Sequence, residues 1–263
     1  MRKYAFALVG GSAVFGMAAF FLRRWELQQL YQDETGLAAR GIPSTTVLFA
    51  VTAMAVAVAL LFGVCTARRF VSVPRYDGTF GMESPAGLLP YALFGAVAVV
   101  AAVQHWRQAG SAGNAVETCF FIFAALSGLS VIGSAVSAYT KKRGLLTLTS
   151  VVPAVFFCFW LVLIYKQHDT NPQLVEYAFM CLAAAALSLS FYYTAGYAYG
   201  KQAPGKLVFS HVLAVYFAVL TLADDWNGAE KLLLLAFACI TLINLYLFVW
   251  HLVPKASLKE DKE

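Results

Sequence analysis

The sequence predicts an all-α integral membrane protein with about eight transmembrane helices arranged as helical hairpins. Three observations carry that reading. Hydrophobic residues make up 60% of the 263-residue chain and charged residues 13%, with a mean hydropathy of +0.70; ordinary soluble domains are about 45–50% apolar and about 25% charged. The apolar residues gather in stretches near the roughly 20 residues that a helix needs to cross a hydrocarbon core. Short charged segments separate them, none of a length to hold a soluble domain of about 50 residues or more. The whole chain, 1–263, reads as one polytopic domain in contact with the lipid bilayer.

The spans fall near 4–22, 45–65, 86–105, 117–140, 146–166, 173–199, 207–223 and 231–253. The first follows Arg2 and Lys3 as a signal peptide would, but its apolar run exceeds the roughly 7–15 residues of a signal core and stops at Arg23–Arg24, so a retained helix is expected. The fourth opens on Glu117, with Asn114 three residues earlier as in a capping box. The fifth contains Pro153, the one interior proline and a candidate kink. The sixth is preceded by Asn171–Pro172, a capping residue followed by proline at the first helical position. The seventh ends on Asp224–Asp225, and Glu230 opens the eighth. Two connections are longer than a turn. Residues 23–44 place Trp25, Leu27, Leu30, Tyr31 and Leu37 at roughly the spacing of one helical face, which predicts an amphipathic helix on the outer surface. Residues 66–84, with Arg68, Arg69, Pro74 and Arg75, predict an irregular cytoplasmic loop.

Orientation follows from Lys and Arg. Most of the 19 basic residues lie at the N-terminus and after spans two, four, six and eight, Lys141–Lys142–Arg143 being the densest cluster. Both termini are therefore expected to be cytoplasmic, and the membrane the plasma membrane. Arg23 and Arg24, on the opposite side, dissent. The net charge of +5 is spread over several loops rather than gathered on one face, which excludes a nucleic-acid surface. A faint echo at an offset of about 60 residues relates the span opened by Glu117 to the span opened by Glu176, the pattern left by duplicated hairpins.

No Asp, Glu, Lys or Arg falls deep inside a span, which speaks against ion pumps and retinal-binding receptors. What remains is a ring at the outer helix ends: His105, Glu117, His168, Asp169, Glu176, Asp224 and Asp225, with Glu230 close by. Carboxylates and imidazoles converging there would suit a divalent cation or an amine-bearing solute. Capping competes with that reading, since acids in a first turn complement the helix dipole. Asp224 and Asp225 end a helix, where the dipole disfavours negative charge, and capping explains them least. The histidines offer a second constellation. His105 and His168 on the outer side, with His211 and His251 on the inner, are two pairs at two depths, as a two-haem electron carrier needs.

Ser130, Ser134 and Ala138 repeat every fourth residue, and Ser12 and Gly16 stand in the same relation. Such small faces let helices pack within the chain, against a partner or against a second copy. Tyr193 and Tyr197 share a face that could floor a pocket or anchor the helix end. Trp25, Trp106, Trp226 and Trp250 fall at span boundaries, as in an aromatic belt. Cys65, Cys119, Cys158, Cys181 and Cys239 are single, without CxxC spacing, and read as small buried hydrophobes. No zinc-protease, nucleophile-elbow or phosphate-loop signature is present, so the chain does not read as an enzyme, and no cofactor or metal is named by its motifs. Three functions follow in order of preference: a small-solute transporter or solute-binding membrane component, a non-catalytic membrane scaffold or partner subunit, and a transmembrane haem redox protein.

Overall fold

A computed structural model describes residues 2–30, 43–72, 75–82, 84–108, 115–167 and 174–255, with side chains from residue 8 to 29 in the first of these segments and from 177 in the last. Nine helices run in order among them: α1 (Arg2–Leu30), α2 (Pro43–Arg69), α3 (Tyr76–Phe80), α4 (Leu88–Gln108), α5 (Ala115–Tyr139), α6 (Arg143–Gln167), α7 (Leu174–Ala198), α8 (Pro204–Thr221) and α9 (Gly228–Trp250). Seven of them, α2 and α4 to α9, are long and apolar enough to cross a membrane. The first predicted span is helical as α1, but it is not one of the seven. Its apolar run among the described side chains is cut short by Arg23, Arg24 and Glu26.

Consecutive helices from α4 to α8 pack on one another, α9 closes the bundle between α4 and α8, and α1 and α2 lie against α8. Burial follows that placement. In α8 and α9 61% of the most apolar window is buried inside the protein, against 22% in α2, so α8 and α9 form the centre and α2 faces outward. Aromatic rings fill the middle: Phe157 and Phe191 stack at 6.0 Å, and Phe237 meets Phe157 edge-on at 5.0 Å. Such pairs add about 0.5–1.5 kcal/mol each beyond the area they bury.

Backbones approach closely where glycine allows it. A Cβ on Gly95 of α4 would stand 2.8 Å from the Gly128 carbonyl oxygen of α5, and one on Gly128 would stand 2.7 Å from that of Gly95. The other small faces are also spent inside the chain. Ser130, Ser134 and Ala138 are buried, and Gly16 of α1 lies against Val219 of α8. The cysteines depart from expectation: Cys65, Cys119 and Cys158 are exposed on helix surfaces and all five are free thiols. For a thiol in a span, the apolar surroundings that suit it are as readily found in lipid as in protein.

Both long connections differ from their sequence reading. Residues 23–30 continue α1 rather than starting a separate surface helix; Tyr31 and Leu37 lie outside the described residues. The 66–84 segment is built rather than irregular. Its first residues extend α2, and Phe70–Val71 (β1) pairs antiparallel with Val253–Pro254 (β2) beyond α9. Lys255 closes that clasp, its Nζ donating to the Ala67 carbonyl at 2.9 Å. The short α3 then tucks Tyr76 and Phe80 into the bundle, where Phe80 meets Tyr197 at 5.7 Å and Phe248 at 6.2 Å. Tyr197 is thus a packing residue whose hydroxyl donates to Ser72 Oγ at 3.0 Å.

The glycine contact gives a direct test. Gly128→Ala should destabilise by about 1–3 kcal/mol, because the atom it meets is backbone and cannot rotate away. Gly11→Ala, with open space around its Cβ position, should leave the unfolding temperature of the detergent-solubilised protein unchanged or raised. Equal melting of the two variants would contradict the close approach of α4 and α5.

Candidate functional site

The acid-rich end of the bundle, formed by the end of α1, the α4–α5 turn and the α8–α9 turn, collects most of the charged side chains singled out in the sequence. They fall into two groups rather than one ring. In the first, His105 at the end of α4 lies 2.9 Å from Glu117 Oε2 at the start of α5, through Nε2. A carboxylate only accepts, so Nε2 carries the proton. Nδ1 of the same ring points towards Glu230 Oε1 of α9 at 3.9 Å, too long for a hydrogen bond. The imidazole also leans on Phe120, with ring centroids 4.6 Å apart. This group joins α4, α5 and α9.

The second group was not assembled by sequence reasoning. Arg23 of α1 is fully buried and holds two buried carboxylates at once: its Nε donates to Asp224 Oδ1 at 2.6 Å, and its Nη1 to Glu26 Oε2 at 2.8 Å. Its guanidinium also lies 4.9 Å from the Phe179 ring centre on α7. One end of α1 is thereby fixed to α7 and to the segment after α8. Asp224 is the acid that helix capping explained least, and the guanidinium is the reason it is tolerated at a helix end. The signal in the sequence was Arg23 itself, a basic residue on the side where Lys and Arg are scarce.

One guanidinium faces two carboxylates, and the second oxygen of each, Glu26 Oε1 and Asp224 Oδ2, is buried without a hydrogen bond, although the Trp226 indole lies close to Asp224. Burial pushes the Asp224 carboxyl above its ordinary value near 3.8, against the opposing pull of Arg23. Beside the group opens a cavity of about 740 Å³, lined among the described residues by Arg23, Arg24, Asp224, Asp225, Trp226 and Lys231, by further side chains of α1 including Gln28, and by apolar side chains just after α8. Asp225 is exposed at its edge. Arg23, Arg24 and Lys231 together balance Glu26, Asp224 and Asp225, so the surplus of one negative charge is confined to the buried trio of Arg23, Glu26 and Asp224, and the recess suits a group that carries both signs of charge.

His168 and Asp169 lie outside the described residues, as does the side chain of Glu176. Of the inner histidines, His211 donates Nδ1–H to the Leu207 carbonyl at 2.8 Å and meets the Thr194 hydroxyl at 3.2 Å with Nε2, so both ring nitrogens are engaged. His251 likewise bonds the Leu247 carbonyl at 2.8 Å. Among the described residues no three of His, Cys, Asp and Glu are placed to hold a metal ion. Comparison with protein-family models, with curated proteins and with solved structures finds no match to this chain.

Removing the guanidinium should expose the charge imbalance. Arg23→Met leaves two buried carboxylates without their cation and is expected to cost about 3–5 kcal/mol, the usual penalty for breaking a buried pair from one side. Combining it with Glu26→Leu and Asp224→Leu should recover most of that loss. Thermal unfolding in detergent compares the two, and a triple variant no better than the single would show that the group is not an electrostatic unit.

Proposed function

We propose that this chain is a small-solute transporter or solute-binding component of the plasma membrane, and that its solute carries an amino group. In this reading the chain crosses eight times, α1 included, with both termini cytoplasmic. The acid-rich cavity then opens outward, and the solute's ammonium is taken up by Asp224 and Asp225, with Glu26 behind them on the shared guanidinium. The observation that carries the reading is Asp224 Oδ2, a buried carboxylate oxygen without a hydrogen bond on a residue of the cavity wall, whose guanidinium partner is shared with Glu26. A buried polar atom without a partner costs about 1–3 kcal/mol. An ammonium group donating to it would recover that cost and balance the buried trio. Arg24 and Lys231 on the cavity wall suit a carboxylate elsewhere on the same solute, so amino acids and related zwitterions lead the class. His105, Glu117 and Glu230 brace α4, α5 and α9 beside the cavity rather than touch the solute.

Scaffold function has less support, because the small-residue faces that would meet a partner are occupied within the chain.

The test is equilibrium binding of radiolabelled amines and amino acids to the purified full chain in lipid nanodiscs. Saturable binding weakened at least tenfold by Asp224→Asn and by Asp225→Asn is expected, with both variants still folded. Acidification adds a second readout. An acid whose folded pKa is raised takes up its proton above the ordinary carboxylate range, so ammonium binding should fade as pH falls through that window. In Asp224→Asn the residual binding should lose that pH dependence. If no amine binds, or the two variants bind as well as the parent, the cavity is not the site.

A further inference from the structure

Away from the acid-rich end, six polar side chains from six different elements converge inside the bundle, one to two turns from its basic end. They are Tyr76 (α3), Tyr91 (α4), Ser134 (α5), Ser150 (α6), Thr194 (α7) and Asn244 (α9), each more than nine-tenths buried. They surround a chamber of about 10 Å³, which also touches Pro153. That is close to the space taken by one water-sized sphere. The residues carry no formal charge, and α3 covers them on the basic side with Tyr76 and Phe80.

The placement of protons gives this chamber its character. Ser134 donates to the Val131 carbonyl at 2.9 Å and Ser150 to the Thr147 carbonyl at 3.2 Å. Thr194 faces two acceptors, the Ser190 carbonyl at 2.9 Å and, at 3.2 Å, Nε2 of His211 on α8, whose proton is on Nδ1. Neither a carbonyl nor that Nε2 can donate, so each hydroxyl spends its single proton on these acceptors and not on the chamber. Tyr91 likewise spends its proton on Asn244 Oδ1, at 2.6 Å. Tyr76 lies beside Ser134 and adds a further hydroxyl oxygen. What the other four hydroxyls have left for the chamber is lone pairs. Only the Asn244 amide nitrogen and the Tyr76 hydroxyl bring donors of their own.

An acceptor-rich, neutral, water-sized recess inside apolar helices is the environment in which a hard cation exchanges its hydration shell for protein oxygens. The geometry points to a site for one dehydrated monovalent cation of sodium size, held by the hydroxyl oxygens of Tyr76, Tyr91, Ser134, Ser150 and Thr194 and by Asn244 Oδ1. Lithium fits the same space, and potassium is too large for it. The absence of a carboxylate from the set fits a single charge rather than a divalent ion, whose desolvation demands formal negative charge. The site is separate from the amine cavity and does not depend on it.

The experiment is thermal unfolding of the purified full chain in nanodiscs, in sodium, lithium, potassium and choline chloride at one ionic strength. A saturable rise in unfolding temperature with sodium and lithium, absent with potassium and choline, is expected, since a ligand that binds only the folded state raises its stability in proportion to log concentration. Ser134→Ala combined with Ser150→Ala removes two oxygens whose protons serve only carbonyls of their own helices. Its unfolding temperature in potassium should therefore match the parent's, while half-saturation by sodium moves at least tenfold higher. Should that pair fail to fold, Ser150→Ala reads the same shift at one ligand. Identical melting of the parent in all four salts would mean that the chamber holds water only, and an unchanged sodium response in the variants would place the ion elsewhere; either result overturns the proposal. A sodium response without amine binding would sink the function proposed above and leave this site standing. Amine binding without a sodium response would do the reverse.

Discussion

A guanidinium with no exposed surface can exist at the edge of an apolar bundle only if its charge is met there. In Arg23 that condition organises one end of the molecule. Its carboxylate partners come from its own helix and from the segment that leaves α8, and its flat face rests on Phe179 of α7. The Arg23–Asp224 bond spans 201 residues of sequence, so it fixes how the first helix sits against the second half of the chain. Ionic contacts at this depth are a poor source of net stability, because desolvation consumes most of the attraction. Their value is in orientation: few other placements of α1 leave the three charges less exposed to apolar surroundings. The same constraint leaves the buried trio with one negative charge in surplus, since one cation cannot fully serve two acids, while Arg24 and Lys231 on the cavity wall balance that surplus together with Asp225.

The hydroxyl groups inside the helices obey a milder form of the rule. With no water available, Ser and Thr satisfy themselves on carbonyls three or four residues back, as Ser127, Ser190, Ser210, Thr221 and Thr241 all do. This is the cheapest solution for a lone hydroxyl in an apolar helix, and it leaves the chain free to place such residues where small size is wanted. Its side effect appears only where several of them face one point. Each has given its proton away, and together they present acceptors with little to donate to them. A property that stabilises each helix separately thus becomes a chemical preference where α5, α6 and α7 meet.

Much of the helical layout was legible from hydropathy alone, since spans α2 and α4 to α9 are long, apolar and bounded by charge. The basic-end cover was not. Its strands are two residues each and too short to show alternation, and their partners lie 182 positions or more apart, beyond the reach of any local pattern. Tyr76 and Phe80 do stand four apart, as one face of a helical turn would, but in a Gly- and Pro-containing segment that spacing carries little weight. Arg23 was visible as a residue on the wrong side, while its partners were not, because Glu26 is a neighbour that any exposed helix could offer and Asp224 is distant. His105 and Glu117 could be paired in advance by the short α4–α5 turn. The exposure of Cys65, Cys119 and Cys158 could not be foreseen, as hydropathy does not separate a side chain turned to lipid from one turned to protein.

The two polar regions lie at opposite ends of the bundle, and what separates them bears on how they could work together. Between them stand Phe120, Phe156, Phe157, Trp160 and Phe237, packed ring against ring, with no more than a few per cent of any of them exposed. The cavity beside Arg23 is open, whereas the chamber under α3 is covered by a five-residue helix and a two-stranded clasp. The closure at the basic end is the slighter of the two barriers. It consists of short elements tied by few hydrogen bonds, while the aromatic layer is shared among α5, α6 and α9 and cannot part without moving whole helices. Local opening draws on the least stable elements first. A cation reaching the chamber would therefore pass by α3, and a solute crossing from the acid-rich cavity would need the α5–α6 pair to shift against α9. Pro153, which touches the chamber and breaks the hydrogen-bond ladder of α6, is where such a shift would meet least resistance.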